Sequence, residues 1–349
     1  MKAIVIDGPN KIEFREVEPP RCGPDDVLIR SAKAGLCRTD LEVLRGEVPD
    51  SWVRYPVIPG HEWGGTVAET GANVTEVVPG DRVCSEGIIP CNRCKRCRNG
   101  ETNLCENYDQ LGFTRGGGCG EYVVAPRHVV HRLEEHVSFD SAVLVEPASV
   151  VLRAIERVRP RPGEAVGVVG IGTLGSIAVQ MLRLYGPRAL LAYGIRDEEL
   201  DVAREMGATD TVNVTAQDPE EATRKRLGNG LDVVIEVAGS AQAVQTSLNV
   251  VRNGGRVSLL GVAGASARLE IASDYFVNED ALVVGGFSYT SAIWSRVLDL
   301  VNSRLINLDP IVTHRFPAVD YAKAYDLMDD RGDEIVAKIL LEHEQPAGV

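Results

Sequence analysis

Long apolar runs are missing from this chain of 349 residues. No segment approaches the roughly 20 consecutive apolar residues of a membrane span, so no membrane partner is expected. A signal peptide is missing too: Met1-Lys2-Ala3-Ile4-Val5-Ile6 reads as a strand. The expected compartment is therefore cytoplasmic and reducing. Positive charge is in deficit, with 37 Lys and Arg against 50 Asp and Glu and a net charge of −13. That balance argues against nucleic acid, whose phosphates need a basic surface, and suits a small-molecule substrate, a cationic one included. There is no internal repeat and no low-complexity segment. What remains is ordinary globular composition, 44% hydrophobic and 25% charged, at a length that fits about two domains.

Eight cysteines in a reducing compartment point to metal rather than to disulfides. Four of them form Cys91-x2-Cys94-x2-Cys97-x7-Cys105. Four thiolates at short spacing make the closed tetrahedral site of a structural Zn²⁺. An iron–sulfur cluster is the first rival, but the bacterial run brings its fourth Cys after three residues, followed by Pro; here seven intervene and Glu106 follows. A nucleic-acid zinc knuckle is the second, suggested by Arg93, Lys95, Arg96 and Arg98, charges that equally suit a solvated lobe. Cys22, Cys84 and Cys119 have no evident partners and read as structural thiols.

Cys37-Arg38-Thr39-Asp40 follows a strand-like run, and Pro59-Gly60-His61-Glu62-Trp63-Gly64-Gly65 places an imidazole beside a carboxylate. Cys, His and Glu are ligand types that hold a catalytic Zn²⁺ while leaving a position open. A turn with a hydrogen-bonded histidine is the plain alternative. A hydrolytic H-E-x-x-H site is disfavoured, since Gly65 stands where the second histidine belongs. Val145-Glu146-Pro147 puts a carboxylate before an expected helix start at Ala148. Glu146 there is either a helix-terminus charge or an inward-facing ligand. Short apolar runs around these motifs, such as Val27-Leu28-Ile29-Arg30 and Glu121-Tyr122-Val123-Val124, are separated by turns such as Pro79-Gly80-Asp81 and predict a β-rich domain.

Beyond the Pro/Arg segment 157–164, a boundary candidate, the pattern changes. A buried strand, Ala165 to Val169, meets Gly170-Ile171-Gly172-Thr173-Leu174-Gly175, and a helix-periodic run continues to about Leu184. In that context the glycines form a dinucleotide fingerprint, with the pyrophosphate at the helix N-terminus. Strand-like and helix-like runs then alternate to about residue 290, which predicts an α/β doubly wound parallel sheet. The acid that should meet the adenosine ribose about 20 positions on is missing. Gly194 stands there, with Arg196 close by. A guanidinium without a competing carboxylate pairs with a 2′-phosphate, so NADP is expected over NAD; Asp197 is the residue through which NAD would still be read. Strands near 311–316 and 335–341 flank a helix near Tyr321 to Met328 and are expected to rejoin the first domain.

Taken together and in this order, these elements resemble the zinc-containing medium-chain dehydrogenases, in the branch of sorbitol and related polyol dehydrogenases. The resemblance spans essentially the whole chain. It implies a GroES-like catalytic domain over 1–155 and 291–349, with the zinc lobe at 88–108. A Rossmann domain would occupy 156–290, with the active site in the cleft between the two. It implies Cys37, His61 and Glu146 as catalytic-zinc ligands, Glu62 as a ligand that exchanges with water or substrate, and Thr39 as the proton-relay hydroxyl. One histidine that the family's alcohol dehydrogenases often carry is absent: Glu42 stands at its place in the outer proton route. Arg38 is a candidate contact for the pyrophosphate, and Trp52 and Tyr55 for a sugar ring. The implied chemistry is hydride transfer between a secondary hydroxyl and NAD(P), with two Zn²⁺ per chain, in a homodimer or homotetramer. A fainter likeness, in Gly60-His61-Glu62-Trp63 and Leu111-Gly112-Phe113-Thr114, is to dehydrogenases of aminocyclitols or sugars in aminoglycoside biosynthesis. A non-enzymatic zinc- and nucleotide-binding protein, and a reductase of the same fold acting on a different carbonyl substrate, are the remaining rivals.

Overall fold

The computed structural model describes residues 1–264 and 266–344. The Gly- and Pro-punctuated first part folds as short strands: β1 (Lys2–Gly8), β2 (Lys11–Glu16), β3 (Asp26–Leu36), α1 (Arg38–Arg45), β4 (Glu62–Thr70), β5 (Arg82–Ser85), α2 (Lys95–Arg98), β6 (Tyr122–Pro126), β7 (Val130–Arg132) and α3 (Phe139–Val158). The middle alternates between periods of two and 3.6: β8 (Ala165–Val169), α4 (Thr173–Arg183), β9 (Ala189–Gly194), α5 (Asp197–Met206), β10 (Asp210–Asn213), α6 (Pro219–Leu227), β11 (Leu231–Glu236), α7 (Ala241–Val250), β12 (Val251–Leu259), α8 (Tyr275–Asn278) and β13 (Leu282–Gly285). The chain then ends on α9 (Ser291–Asn302), β14 (Val312–Pro317), α10 (Tyr321–Asp329) and β15 (Lys338–Glu342). Among the described residues no helix is long and apolar enough to cross a membrane.

Two compact units result, Met1–Glu146 with Tyr289–Val349, and Pro147–Ser288. The first holds a seven-stranded sheet in the order β14-β15-β3-β4-β5-β7, with β6 also paired to β3. The last strand therefore does return to the first unit: β15 lies antiparallel to β3, with Ile339 opposite Leu36. Its core is built from Ile4, Val27, Ile29, Trp63, Tyr325 and Leu341, all buried. The second unit is a six-stranded sheet, β10-β9-β8-β11-β12-β13, whose neighbouring strands all pair in parallel. Strand order reverses between β8 and β11, the switch point at which such sheets bind dinucleotides.

Two expectations are corrected. The chain passes between units at Glu146/Pro147, not at 155/156, and returns at Ser288/Tyr289 rather than 290/291. The Pro/Arg segment 157–164 is therefore not the linker. The helix around Glu146 starts at Phe139, not Ala148, and Pro147 sits inside it. The apolar run before Glu146 is a turn of that helix buried on every side, with Ala142, Val143, Leu144 and Val145 all enclosed.

Candidate active site

Cys37 follows β3 directly and is the N-cap of α1, where its backbone N–H donates to Asp40 Oδ2 at 2.8 Å. Glu62 opens β4, which pairs with β3 so that Glu62 lies opposite Gly35. No side chain fits at Gly35, since a Cβ there would lie 2.7 Å from Glu62 Oε2. The cysteine and the His61-Glu62 pair are thus brought together by one strand pairing. Candidate ligand atoms of Cys37, His61 and Glu62 all lie within 4.8 Å of one another. Glu146 falls outside that tight set. Its buried carboxyl nonetheless senses His61, Glu62, Lys338 and Asp40; burial, chiefly, pushes it up to about 7. As a residue inside α3 it cannot be a helix-terminus charge, which leaves the inward-facing reading.

The donor chemistry fits a divalent zinc. His61 Nδ1 lies 3.6 Å from Asp40 Oδ1, beyond hydrogen-bond distance, and neither buried atom has a hydrogen-bond partner among the described residues, so polar atoms are left at the site for a metal or a substrate to satisfy. A thiol and the carboxylates of Asp40, Glu62 and Glu146 are buried or half-buried here against one lysine, an excess of negative charge that a cation offsets. Thr39 presents its hydroxyl 3.8 Å from Cys37 Sγ. Glu42 follows one turn later on α1, half-buried, its carboxyl raised by burial and drawn back by Arg38. Arg38 itself is exposed.

Three residues of this site were not singled out from sequence. Lys338 Nζ donates to Glu62 Oε2 at 2.5 Å and to Leu36 O at 3.0 Å, with both side chains buried. Its signal was a lone cation inside the apolar run Ile335 to Leu341. Asp40 closes a capping box with Cys37, readable as a carboxylate three residues after a cap. Phe113 covers the imidazole, ring centroids 5.1 Å apart. Of the two aromatic candidates, Trp52 is 38% exposed and faces Tyr108 at 6.3 Å between centroids. Tyr55 is engaged otherwise: it packs against the Ile6, Val43 and Val57 cluster, and its hydroxyl donates to Val43 O at 2.5 Å.

In the lobe, the sulfurs of Cys91, Cys94, Cys97 and Cys105 also lie within 4.8 Å of one another. Backbone N–H groups point at them: Cys94 N to Cys91 Sγ, Cys97 N to Cys94 Sγ and Cys91 N to Cys105 Sγ, each 3.4 Å. Such donors hold Cys91 low, at about 5, while burial pushes Cys97 up. All four cysteines are free of disulfides, and four thiolates this close fit a closed zinc site.

The second unit carries the fingerprint at the carboxyl end of β8. Gly170 has φ +100°, and a Cβ there would meet Ala238 N at 2.7 Å. A Cβ on Gly175 would lie 2.0 Å from Gly170 O, so only glycine lets α4 pack there. A Cβ on Gly172, the N-cap of α4, would meet nothing within 4 Å. That is open space where a phosphate can approach backbone N–H groups. Ile171 is buried, and Thr173 and Leu174 begin the helix. Gly194 ends β9, and Arg196 is the N-cap of α5. Asp197, the counter-candidate for the ribose, accepts from Asn213 Nδ2 at 2.8 Å.

Comparison with known proteins decides the family. The alcohol dehydrogenase GroES-like domain model matches residues 23–135, and the zinc-binding dehydrogenase model matches residues 173–303. The chain belongs to the zinc-containing medium-chain alcohol dehydrogenases. These are NAD(P)-dependent oxidoreductases acting on CH–OH groups. It is 34% identical to an L-threonine 3-dehydrogenase of Deinococcus deserti over 90% of this chain and 91% of the relative. It is 31% identical to an erythritol/L-threitol dehydrogenase of Mycolicibacterium smegmatis over 97% of each. Among solved structures, a zinc-binding dehydrogenase of Sinorhizobium meliloti 1021 bound to NADP superposes with a TM-score of 0.91 at 32% identity, covering 98% of both chains.

Proposed function

We propose that this dehydrogenase oxidises a secondary hydroxyl of a polyol, sugar or aminocyclitol to the ketone, or reduces that ketone, with NADP preferred over NAD. One observation carries the reading: Cys37, His61 and Glu62 converge within 4.8 Å beside the Thr39 hydroxyl. Cys37, His61 and Glu146 would hold the catalytic zinc, with Glu62 as the ligand that exchanges, and the four lobe cysteines a second zinc. Bound there, zinc supplies Lewis acidity toward a hydroxyl or carbonyl oxygen, and the nicotinamide supplies or accepts hydride.

The chain's own residues do the rest. The Asp40 carboxylate, 3.6 Å from His61 Nδ1, favours the imidazole electrostatically, and Lys338 holds Glu62 to one side by its ion pair. Thr39 accepts the substrate proton and passes it on. Glu42, one turn along α1, takes the place of a histidine as the outer acceptor, its raised pKa moving it toward neutrality. Gly172 and the first turn of α4 receive the pyrophosphate. Arg38 is a further candidate for it. Arg196 pairs with the 2′-phosphate, an assignment supported by Gly194 in the acid's position and by Asp197's bond to Asn213. Trp52, 38% exposed, is a candidate contact for a sugar. The relatives named for threonine and for erythritol/threitol support a substrate with neighbouring polar groups. The charge of −13 is compatible with aminocyclitols and aminoglycosides within that class. A second copy of the chain is the expected partner, at the open edge strand β13, where Leu282 is 50% exposed.

The test is a panel of polyols, sugars, aminocyclitols, aminoglycosides and 3-hydroxy amino acids, assayed for NAD⁺ and NADP⁺ reduction at fixed pH. At least one polyol-class member should turn over with NADP⁺ favoured, and Arg196→Ala should lose about tenfold of that preference. Turnover of 3-hydroxy amino acids alone would displace the substrate assignment. An NAD⁺ preference in wild type would displace the reading of Gly194 and Arg196.

A further inference from the structure

Glu236, the last residue of β11, is fully buried, yet among the described residues no Lys, Arg or His is its partner. Its Oε1 accepts from Ala238 N and Gly239 N, each at 2.8 Å, and its Oε2 from Gly261 N at 3.2 Å. Its own carbonyl accepts from Leu260 N at 2.9 Å. Every bond is an N–H donated to oxygen, the pattern that a carboxylate satisfies and a protonated acid does not. Burial raises its pKa, and these N–H groups oppose the rise.

The position matters because of the strand order. Glu236 lies at the carboxyl end of β11, just across the switch point from the Gly170 turn at the end of β8. The two turns touch, since a Cβ on Gly170 would meet Ala238 N at 2.7 Å. Such a sheet takes one mononucleotide on each half. The adenosine half belongs to β8 and β9, where Gly194 and Arg196 lie. The nicotinamide half then belongs to β11, β12 and β13. A backbone-bonded buried carboxylate without a counter-cation sits at the root of that half, in surroundings of low dielectric.

We infer that the Glu236 carboxylate sets the preference of the site between the two redox forms, favouring the positively charged pyridinium of the oxidised dinucleotide over the neutral reduced ring. This rests on the dinucleotide-binding reading of the second unit. The pyrophosphate is common to both forms, so its repulsion from Glu236 cancels in the ratio of the two dissociation constants. Glu236 is thus a specificity-determining residue that also holds two backbone turns together, and the ratio separates these roles.

The experiment is a binding titration of oxidised and reduced NADP against wild type, Glu236→Gln and Glu236→Asp, without substrate. In Glu236→Gln the ratio of oxidised to reduced dissociation constants should rise about fivefold, the scale of one partly screened charge. Glu236→Asp keeps the charge and should keep the ratio near that of wild type even if both affinities fall. An unchanged ratio in Glu236→Gln, or equal weakening of both forms, would overturn the inference. Should that variant not fold, wild type alone still decides. It should bind the oxidised dinucleotide severalfold more tightly than the neutral isostere with benzamide in place of nicotinamide, and equal binding of the two would overturn the inference. Failure of folded wild type to bind either redox form of NADP or of NAD would refute the dinucleotide reading itself, a separate outcome.

Discussion

Among the described residues, Lys338 forms one ion pair, with Glu62, and is almost wholly buried. It is 3% exposed, and its ammonium is held by Glu62 and the Leu36 carbonyl. Burial works against its charge, but Glu62 and then Cys37 outweigh it and raise its pKa. Removing one member of a buried pair leaves the other charge uncompensated, at a cost of about 3–5 kcal/mol. Lys338→Met should therefore destabilise the zinc-free protein by that amount, measured by urea unfolding of the chelated protein. Zinc should restore part of the loss, because a cation beside Glu62 replaces the missing one. Unfolding curves that overlay those of wild type without metal would show that the pair contributes nothing. The residue types of the centre were legible in the sequence, since cysteine, histidine and glutamate in short motifs carry their chemistry in the letters. Lys338 was not, because its pairing with Glu62 is made by a strand that returns 276 residues later.

At the scale of elements, α3 ties the first unit together through Asp140 in its first turn. Asp140 accepts from Lys33 Nζ on β3 at 2.6 Å and from both Arg315 Nε and Arg315 Nη2 on β14. Burial would raise this carboxyl, but the Lys33 and Arg315 bonds outweigh it and hold it below the ordinary range. The sign follows from that shift. A carboxylate depressed in the folded state stabilises above its unfolded pKa of about 3.9, and loses that contribution as pH falls through the folded value. Asp140→Asn should thus cost about 1–3 kcal/mol at neutral pH. The difference from wild type should shrink below about pH 4. Denaturant titrations at pH 7 and pH 3 check both halves, and a deficit that persists undiminished in acid would refute the pairing as its source. The strand–turn–helix around Gly170 to Gly175 was fully legible, because its steric demands are local. The course of α3 was not. A helix that passes from one unit into the other leaves no Gly or Pro boundary to read, and Pro147 suggested a start where the structure has an interior.

At the scale of the molecule, β13 closes the six-stranded sheet on one side with an open edge. Leu282 on that strand is 50% exposed, and Phe276 and Val277 on α8 are 43% and 81% exposed. An edge strand with exposed apolar side chains is a template for pairing with another chain. If a second copy covers it, Leu282→Lys should lower the assembly state, seen as a smaller mass by light scattering with the helical circular dichroism unchanged. The same mass in both proteins would move the interface elsewhere.

The central claim is that Cys37, His61 and Glu62, with the buried Glu146 carboxyl coupled to them, form a catalytic zinc site separate from the cysteine lobe. Metal analysis of wild type and Cys37→Ser, run beside NADP⁺ titration and turnover of whichever panel alcohol is active, tests it directly. The expected result is one zinc in each site of wild type, two per chain, and only the lobe zinc in Cys37→Ser. Dinucleotide affinity should be retained in the variant and turnover lost by at least three orders of magnitude, since several kcal/mol of Lewis-acid stabilisation go with the metal. Undiminished turnover in a variant carrying the lobe zinc alone would contradict it.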